Sequence, residues 1–152
     1  MGLMLLAITA SLAFAQRVGE TVQLSGQTYR VESNSGGRVV LQLVPSLNGV
    51  WVRDNGEQIT INGNTGVYNS FGSPNAVTQD AINKGYVKIG DQRLRNFRST
   101  GNLTWTVQTF GYTFNRNNPN VATGTEWRDF AIIMSADGQT ITLDNTLIYT
   151  RR

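Results

Sequence analysis

The chain has 152 residues, a net charge of +3 and neither Cys nor His. Without His it lacks the commonest general base, the Ser–His and Cys–His nucleophile pairs and the usual zinc ligands, so the composition disfavours an enzyme, a metal site or a bound cofactor. Without Cys no disulfide framework is possible, which favours a bacterial protein over a small extracellular animal domain. Only 15% of the residues are charged, too few for a typical nucleic-acid-binding surface.

Residues 1–15 form an apolar segment with the features of a signal peptide. It ends in Ala13-Phe14-Ala15, and the polar pair Gln16-Arg17 follows. A signal peptidase recognises small residues three positions and one position before the polar start of the mature chain, and this segment has that pattern. A membrane-spanning helix needs about 20 apolar residues, which is more than this segment has. The n-region, Met1-Gly2, lacks Lys and Arg and leaves the true start codon open. We expect export to the periplasm or the medium, with a mature chain that does not span the membrane.

Residues 16–45 alternate apolar and polar side chains in three short segments. The segments are centred on Val22–Leu24, Tyr29–Val31 and Val39–Leu43, and a turn is expected at Asn34–Gly37. The period of two predicts an N-terminal β-meander that precedes the main domain.

Residues 46–152 continue this alternation and form the predicted main domain. We predict strands at Leu47–Asp54, Ile59–Ile61, Gly66–Phe71, Tyr86–Ile89, Arg93–Ser99, Leu103–Phe114, Trp127–Ser135, Thr140–Leu143 and Leu147–Arg151. One short helix is predicted from about Asn75 to Lys84, and Asn115–Gly124 is predicted to be a polar loop. The apolar residues before and after Gly111 fall on opposite parities, which predicts a bulge or bend near Gly111. The regular turn spacing is typical of an all-β barrel or sandwich.

Three short motifs, in chain order, resemble those of the lipocalin family and its calycin relatives. Gly49-Val50-Trp51 resembles the Gly-x-Trp that opens a lipocalin barrel, and Thr125-Glu126-Trp127 resembles the later Thr-Asp-Tyr segment. Tyr149-Thr150-Arg151 resembles the terminal strand, whose Arg packs over the first-strand Trp. The resemblance covers residues 47–152 and departs from the family at Glu126-Trp127, in the extra N-terminal sheet and in lacking a helix after the barrel.

The resemblance implies an antiparallel, lipocalin-like barrel that holds a ligand inside. Trp51, Trp127 and Arg151 would close one end through apolar area and a cation–π contact. The expected lining consists of apolar and aromatic side chains from three of the predicted strands. These candidates are Trp105, Val107, Phe110, Tyr112, Phe114, Tyr68 and Tyr86. The alternative is that the rings fill a small barrel completely and leave no cavity.

Charged residues suggest two further sites, each with a plainer alternative. Arg93 and Arg95 lie two apart on a predicted strand, so both would point the same way and could hold an anion. A solvated outer face explains them equally. Glu126 and Asp129 flank Trp127, but residues three apart on a strand face opposite sides, which disfavours a glycosidase pair.

The function predicted from these observations is that of a secreted, non-catalytic binding protein for a small apolar or amphipathic molecule. The alternative is an extracellular adhesion or carbohydrate-binding module that meets surface polysaccharide through exposed aromatics and Asn-rich loops. An outer-membrane barrel is disfavoured because Arg and Lys residues interrupt the outward apolar band that such strands need.

Overall fold

The computed structural model describes residues 5–8, 17–24, 27–36 and 38–152. The chain divides into two compact units, Met1–Ser46 with Ser135–Gln139 and Leu47–Met134 with Thr140–Arg152. The predicted cleavage site after Ala15 lies outside the described residues, so the signal peptide stays a prediction. No helix in the described ranges is long and apolar enough to cross a membrane.

The first unit contains an antiparallel sheet. Its strands are β1 (Leu5–Ile8), β2 (Thr21–Leu24), β3 (Gln27–Ser35) and β4 (Arg38–Leu43), in the order β1-β4-β3-β2. Val31, Val39 and Leu41 are buried together and form its small core. Strands β2 to β4 confirm the predicted N-terminal meander.

The second unit is a closed barrel of eight antiparallel strands. The strands are β5 (Gly49–Arg53), β6 (Glu57–Asn62), β7 (Thr65–Phe71), β8 (Gln92–Gly101), β9 (Thr104–Asn115), β10 (Asn118–Met134), β11 (Thr140–Leu143) and β12 (Leu147–Arg151). Each strand pairs with the next along the chain, and β12 pairs with β5. Closure leaves the barrel without an exposed edge strand. The all-β antiparallel barrel with one short helix was therefore predicted correctly.

Alternation along the strands places the core inside the barrel. On β6, Glu57, Ile59 and Ile61 are buried while the residues between them are half-buried, as a strand with one inward face requires. Because neighbouring strands run in opposite directions, the start of β5 and the end of β12 lie at one end, which we call the Trp51 end. The β5–β6 hairpin, the β7–β8 connection and the β9–β10 hairpin lie at the other, the helix end.

The helix α1 (Ala76–Asn83) lies in the β7–β8 connection and confirms the predicted helix. It begins at Asn75, whose side-chain oxygen accepts a hydrogen bond from the Thr78 amide at 2.9 Å. Two of its polar side chains hold it against β10. The Ala122 amide donates to Asp80 at 2.8 Å, and the Lys84 ammonium donates to the Ala122 carbonyl at 2.8 Å.

The strand predicted at Tyr86–Ile89 is wrong. This segment follows α1 as a bend and ends in a tight turn, in which the Asp91 amide donates to the Lys88 carbonyl at 3.1 Å. The Asp91 side chain accepts from the Lys88 amide at 2.9 Å, and Gly90 has a φ of +90° that suits glycine. Local turn hydrogen bonds therefore outweigh the β-propensity of the segment.

The polar loop predicted at Asn115–Gly124 is also wrong, because β10 already begins at Asn118. The connection shrinks to a tight hairpin, in which the Asn117 amide donates to the Asn115 side chain at 2.9 Å. Most side chains at the start of β10 are exposed, so a polar composition is compatible with pairing.

The β9–β10 ladder has an irregularity near Gly111, as predicted. The register is continuous from Thr104 to Thr113, and the irregularity falls between the pairs of Thr113 and Phe114. Phe110 and Tyr112 precede it, so it does not account for their change of parity.

Candidate functional site

The Trp51 end of the barrel is organised around one fully buried indole. Trp51 is 0% exposed, and its Nε1–H donates to the Leu47 carbonyl at 2.8 Å. The Arg151 guanidinium carbon lies 4.2 Å from the centre of the indole ring, and Nη1 of Arg151 donates to the Asn48 carbonyl at 2.6 Å. The arrangement combines apolar burial with a cation–π contact.

Gly49 fits between these groups because it has no side chain. Its φ is +139°, and a Cβ at this position would lie 2.7 Å from Nη1 of Arg151. One packed unit is therefore formed by Gly49, Trp51 and Arg151.

Trp127 was predicted to close the same end of the barrel as Trp51 and Arg151, but it contacts other residues. The Arg95 guanidinium carbon lies 3.9 Å from the centre of its ring, and Phe110 meets it edge-on at 5.6 Å. The structure therefore does not place Trp127 in the Trp51–Arg151 unit.

Five ionisable side chains gather inside the barrel toward the helix end. We call this group the interior polar cluster, and it consists of Glu57, Tyr68, Arg93, Tyr112 and Tyr149. The Tyr149 hydroxyl donates to Oε1 of Glu57 at 2.6 Å, and Nε of Arg93 lies 3.5 Å from the same oxygen. The Arg93 guanidinium also donates through Nη1 to the Phe110 carbonyl and lies 5.8 Å from the Tyr68 ring centre.

The electrostatics of the cluster favour neutral phenols and a charged guanidinium. Burial raises the pKa of Tyr68, Tyr149 and Tyr112, so their hydroxyls stay protonated at neutral pH. Burial also disfavours the Arg93 cation, but the nearby Tyr68, Tyr149 and Glu57 more than offset this effect and raise the pKa of Arg93. The cluster therefore contains a buried ion pair surrounded by neutral hydroxyl groups.

Two buried polar atoms of the cluster lack a hydrogen-bond partner among the described residues: Nε of Arg93 and the hydroxyl of Tyr112. The ion-pair distance from Nε to Glu57 is too long for a good hydrogen bond. Tyr68 is close enough to lower the pKa of Tyr112 against the effect of burial, but the two hydroxyls do not meet hydrogen-bond geometry. An unsatisfied buried polar group costs about 1–3 kcal/mol, so two in one cluster require an explanation.

Apolar side chains make up the rest of the buried core. They are buried on six different strands and belong to one continuous cluster. The largest are Trp51, Ile59, Ile61, Leu94, Ile132, Ile141 and Leu143. The interior therefore combines an apolar core with the interior polar cluster.

The residues predicted to line the interior divide into two groups. Tyr68 and Val107 are buried, and three others are half-buried and packed against the core, namely Trp105, Phe110 and Tyr112. Phe114 and Tyr86 are 48% and 38% exposed, so their prediction as interior residues is wrong. Phe114 lies at the β9–β10 hairpin beyond the register shift, and Tyr86 lies in the bend after α1.

Arg93 and Arg95 do not form the predicted pair. On β8, Leu94 pairs with Gly66 and Gln92 pairs with Val67, which leaves Arg93 as the extra residue of a bulge. The bulge buries Arg93 together with Leu94, whereas Arg95 stacks on Trp127 and donates through Nε to Gln108 at 3.0 Å. Strict alternation could not reveal this difference.

Sequence reasoning missed Glu57 and Tyr149 as site residues. The signal for Glu57 was present, because it shares the parity of Ile59 and Ile61 and therefore faces the core. The sequence motif around Arg151 contains Tyr149 but gives no sign that this side chain is buried, with 1% of it exposed.

A groove of about 340 Å³ lies on the outer surface, across β8, β9 and β10. Its lining is mostly polar and consists of Asn96, Arg98, Thr106, Val107, Gln108 and Asp129. The Gln108 side-chain oxygen accepts from both Arg95 and Asn96, which connects this outer groove to the Arg95–Trp127 stack. Glu126 pairs with Arg128 and is absent from the lining, so Glu126 and Asp129 do not form a carboxylate pair there.

Within the part of the chain that the structure describes, no three His, Cys, Asp or Glu residues are grouped to hold a metal ion.

Comparisons with known proteins give no relative: no family model, curated protein or solved structure matches the chain. The function of the protein is therefore inferred from the geometry of the site.

Proposed function

We propose that this protein is an exported, non-catalytic binding protein that holds a small apolar or amphipathic molecule inside the barrel. The observation that carries the proposal is the interior polar cluster, in which the buried Nε of Arg93 and hydroxyl of Tyr112 have no hydrogen-bond partner among the described residues. Small-molecule sites are typically apolar cavities with a few convergent polar groups, and the barrel interior has this composition.

Two further observations support this proposal. The Arg151 guanidinium lies over Trp51, as the resemblance to lipocalins implies for the first and last strands of the barrel. The closed antiparallel meander is consistent with a calycin-like fold. We therefore propose a lipocalin-like or avidin-like relationship, with export directed by residues 1–15.

The second candidate function is carbohydrate binding at the outer groove. Asn96, Gln108 and Asp129 offer amide and carboxylate groups beside an aromatic residue, Trp127. However, the Arg95 guanidinium already occupies one face of the indole at 3.9 Å, which reduces the aromatic surface open to a sugar. The interior site is therefore the better supported of the two.

Native mass spectrometry of the protein purified from its own host tests the proposal. We expect a bound small molecule that survives gentle desolvation and is released only when the protein is denatured. The matched control is Gln108→Ala, which changes the outer groove and should leave the bound species in place. A protein that is always empty and is retained on polysaccharide through Trp127 would overturn the proposal in favour of the second candidate.

A further inference from the structure

We infer that the interior polar cluster recognises an uncharged oxygen acceptor, a carbonyl or hydroxyl group, at the polar end of the ligand. This inference rests on the proposed function and specifies the chemical class of the molecule that is bound. It follows from the charge balance of the cluster and from the kind of hydrogen-bonding capacity that is left over.

The charges of the cluster are already balanced. Glu57 faces Arg93 at 3.5 Å, and the neighbouring Arg53 lies 3.7 Å from Glu57 and 3.5 Å from Asp54. The buried pair of Arg93 and Glu57 is therefore neutral as a unit, and Arg53 at its rim is paired further with the exposed Asp54. A carboxylate or ammonium group brought into this buried site would add an uncompensated charge, which is far more costly than burying a hydrogen-bonded neutral group.

The two unsatisfied atoms both have a hydrogen to donate. Nε–H of Arg93 is a donor only, and the Tyr112 hydroxyl is a donor as well as an acceptor. A carbonyl oxygen has two lone pairs and so can accept two hydrogen bonds. The cluster therefore matches an acceptor oxygen better than it matches a ligand group that can only donate.

The Glu57 carboxylate does not accept a hydrogen bond from either of these two donors. Oε1 of Glu57 already accepts from the Tyr149 hydroxyl at 2.6 Å, and Nε of Arg93 stays 3.5 Å away. Arg93 is held in place by its bond through Nη1 to the Phe110 carbonyl, and its Nε has no hydrogen-bond partner in the described part of the chain. Arg93 is 9% exposed, so bulk water does not easily meet this need.

Four eight-carbon probes with different head groups test the inference on the full chain. Octanol and octanamide present an uncharged acceptor oxygen, whereas octanoate and octylamine are charged at neutral pH. We expect the uncharged pair to bind at least about tenfold more tightly than the charged pair, measured by calorimetric titration.

The variant Tyr112→Phe removes one of the two donors without changing the shape of the ring. We expect it to weaken octanamide binding about 3- to 10-fold, the usual effect of one hydrogen bond, and to leave the melting temperature of the ligand-free protein unchanged or higher. A merely structural hydroxyl would lower that melting temperature. The matched control is Tyr86→Phe, which alters an exposed tyrosine and should change neither quantity.

The outcomes separate this inference from the proposed function. Tighter binding of octanoate or octylamine, or wild-type binding of octanamide by Tyr112→Phe, would overturn the inference while the barrel remained a binding site. Failure of all four probes to bind would overturn both.

Discussion

The Trp51 end and the interior polar cluster both combine an arginine with aromatic side chains, but they differ in whether their polar groups are hydrogen-bonded. Each has an arginine beside an aromatic ring, Arg151 at 4.2 Å from Trp51 and Arg93 at 5.8 Å from Tyr68. At the Trp51 end the indole N–H and the guanidinium both donate to backbone carbonyls. In the cluster, the buried Nε–H of Arg93 has no hydrogen-bond acceptor in the part of the chain that the structure describes.

This difference separates a structural role from a binding role. Satisfied polar groups around a buried ring stabilise the fold, whereas unsatisfied groups cost free energy until a ligand meets them. The Trp51 end should therefore be sensitive to substitution in its stability, and the two unsatisfied groups of the cluster, on Arg93 and Tyr112, should respond to substitution chiefly in ligand binding.

The largest expected effect is that of Trp51→Ala. Removing a fully buried indole leaves a cavity in the core and should lower the free energy of unfolding by about 3–5 kcal/mol, measured by urea denaturation. Trp127→Ala is the matched control, since that side chain is only half-buried, and we expect no more than about half the loss. A loss below about 1 kcal/mol for Trp51→Ala would contradict the structural role of the Trp51 end.

Tyr149→Phe should have a smaller effect, from within the cluster itself. It removes a buried hydrogen bond to a carboxylate at 2.6 Å and should cost about 2 kcal/mol of unfolding free energy. Tyr112 is half-buried, and its hydroxyl has no hydrogen-bond partner among the residues that the structure describes, so the cost of Tyr112→Phe should lie within about 0.5 kcal/mol of zero. Equal losses in the two variants would remove the distinction between satisfied and unsatisfied hydroxyls.

The smallest expected effect concerns the glycine of the Gly-x-Trp motif. Gly49→Ala introduces a Cβ at a positive φ and displaces the Arg151 guanidinium, with an expected loss of about 1–2 kcal/mol of unfolding free energy. In Gly63→Ala the backbone strain at a φ of +58° is present, but nothing lies within 4 Å of the new Cβ. If thermal denaturation gave the same loss for both, the contact between Gly49 and Arg151 would contribute nothing.

Features fixed by short-range patterns could be predicted from the sequence. The short turns between strands and the helix that begins at Asn75 depend on a few neighbouring residues, and the helix lies where it was predicted. The meander order followed from these turns, since each short connection leaves the next strand beside the last.

The polar cluster could not be predicted, because it depends on the register between strands. A single extra residue on β8 buries Arg93, and this bulge is decided by pairing with β7 more than 20 residues earlier in the chain. Glu57 and Tyr149 are 92 residues apart and meet only when β12 closes the barrel on β5. Period-two alternation predicted the inward faces but not which polar side chains would meet there.

The most direct test of a binding site in the cluster is the stabilisation of wild type and Tyr112→Phe by octanamide. We expect saturating octanamide to raise the unfolding free energy of the wild type, and to raise that of the variant by up to about 1.4 kcal/mol less, since a tenfold weaker affinity lowers ligand stabilisation by that amount. The same stabilisation in both proteins would show that the Tyr112 hydroxyl does not meet the ligand and would contradict the account.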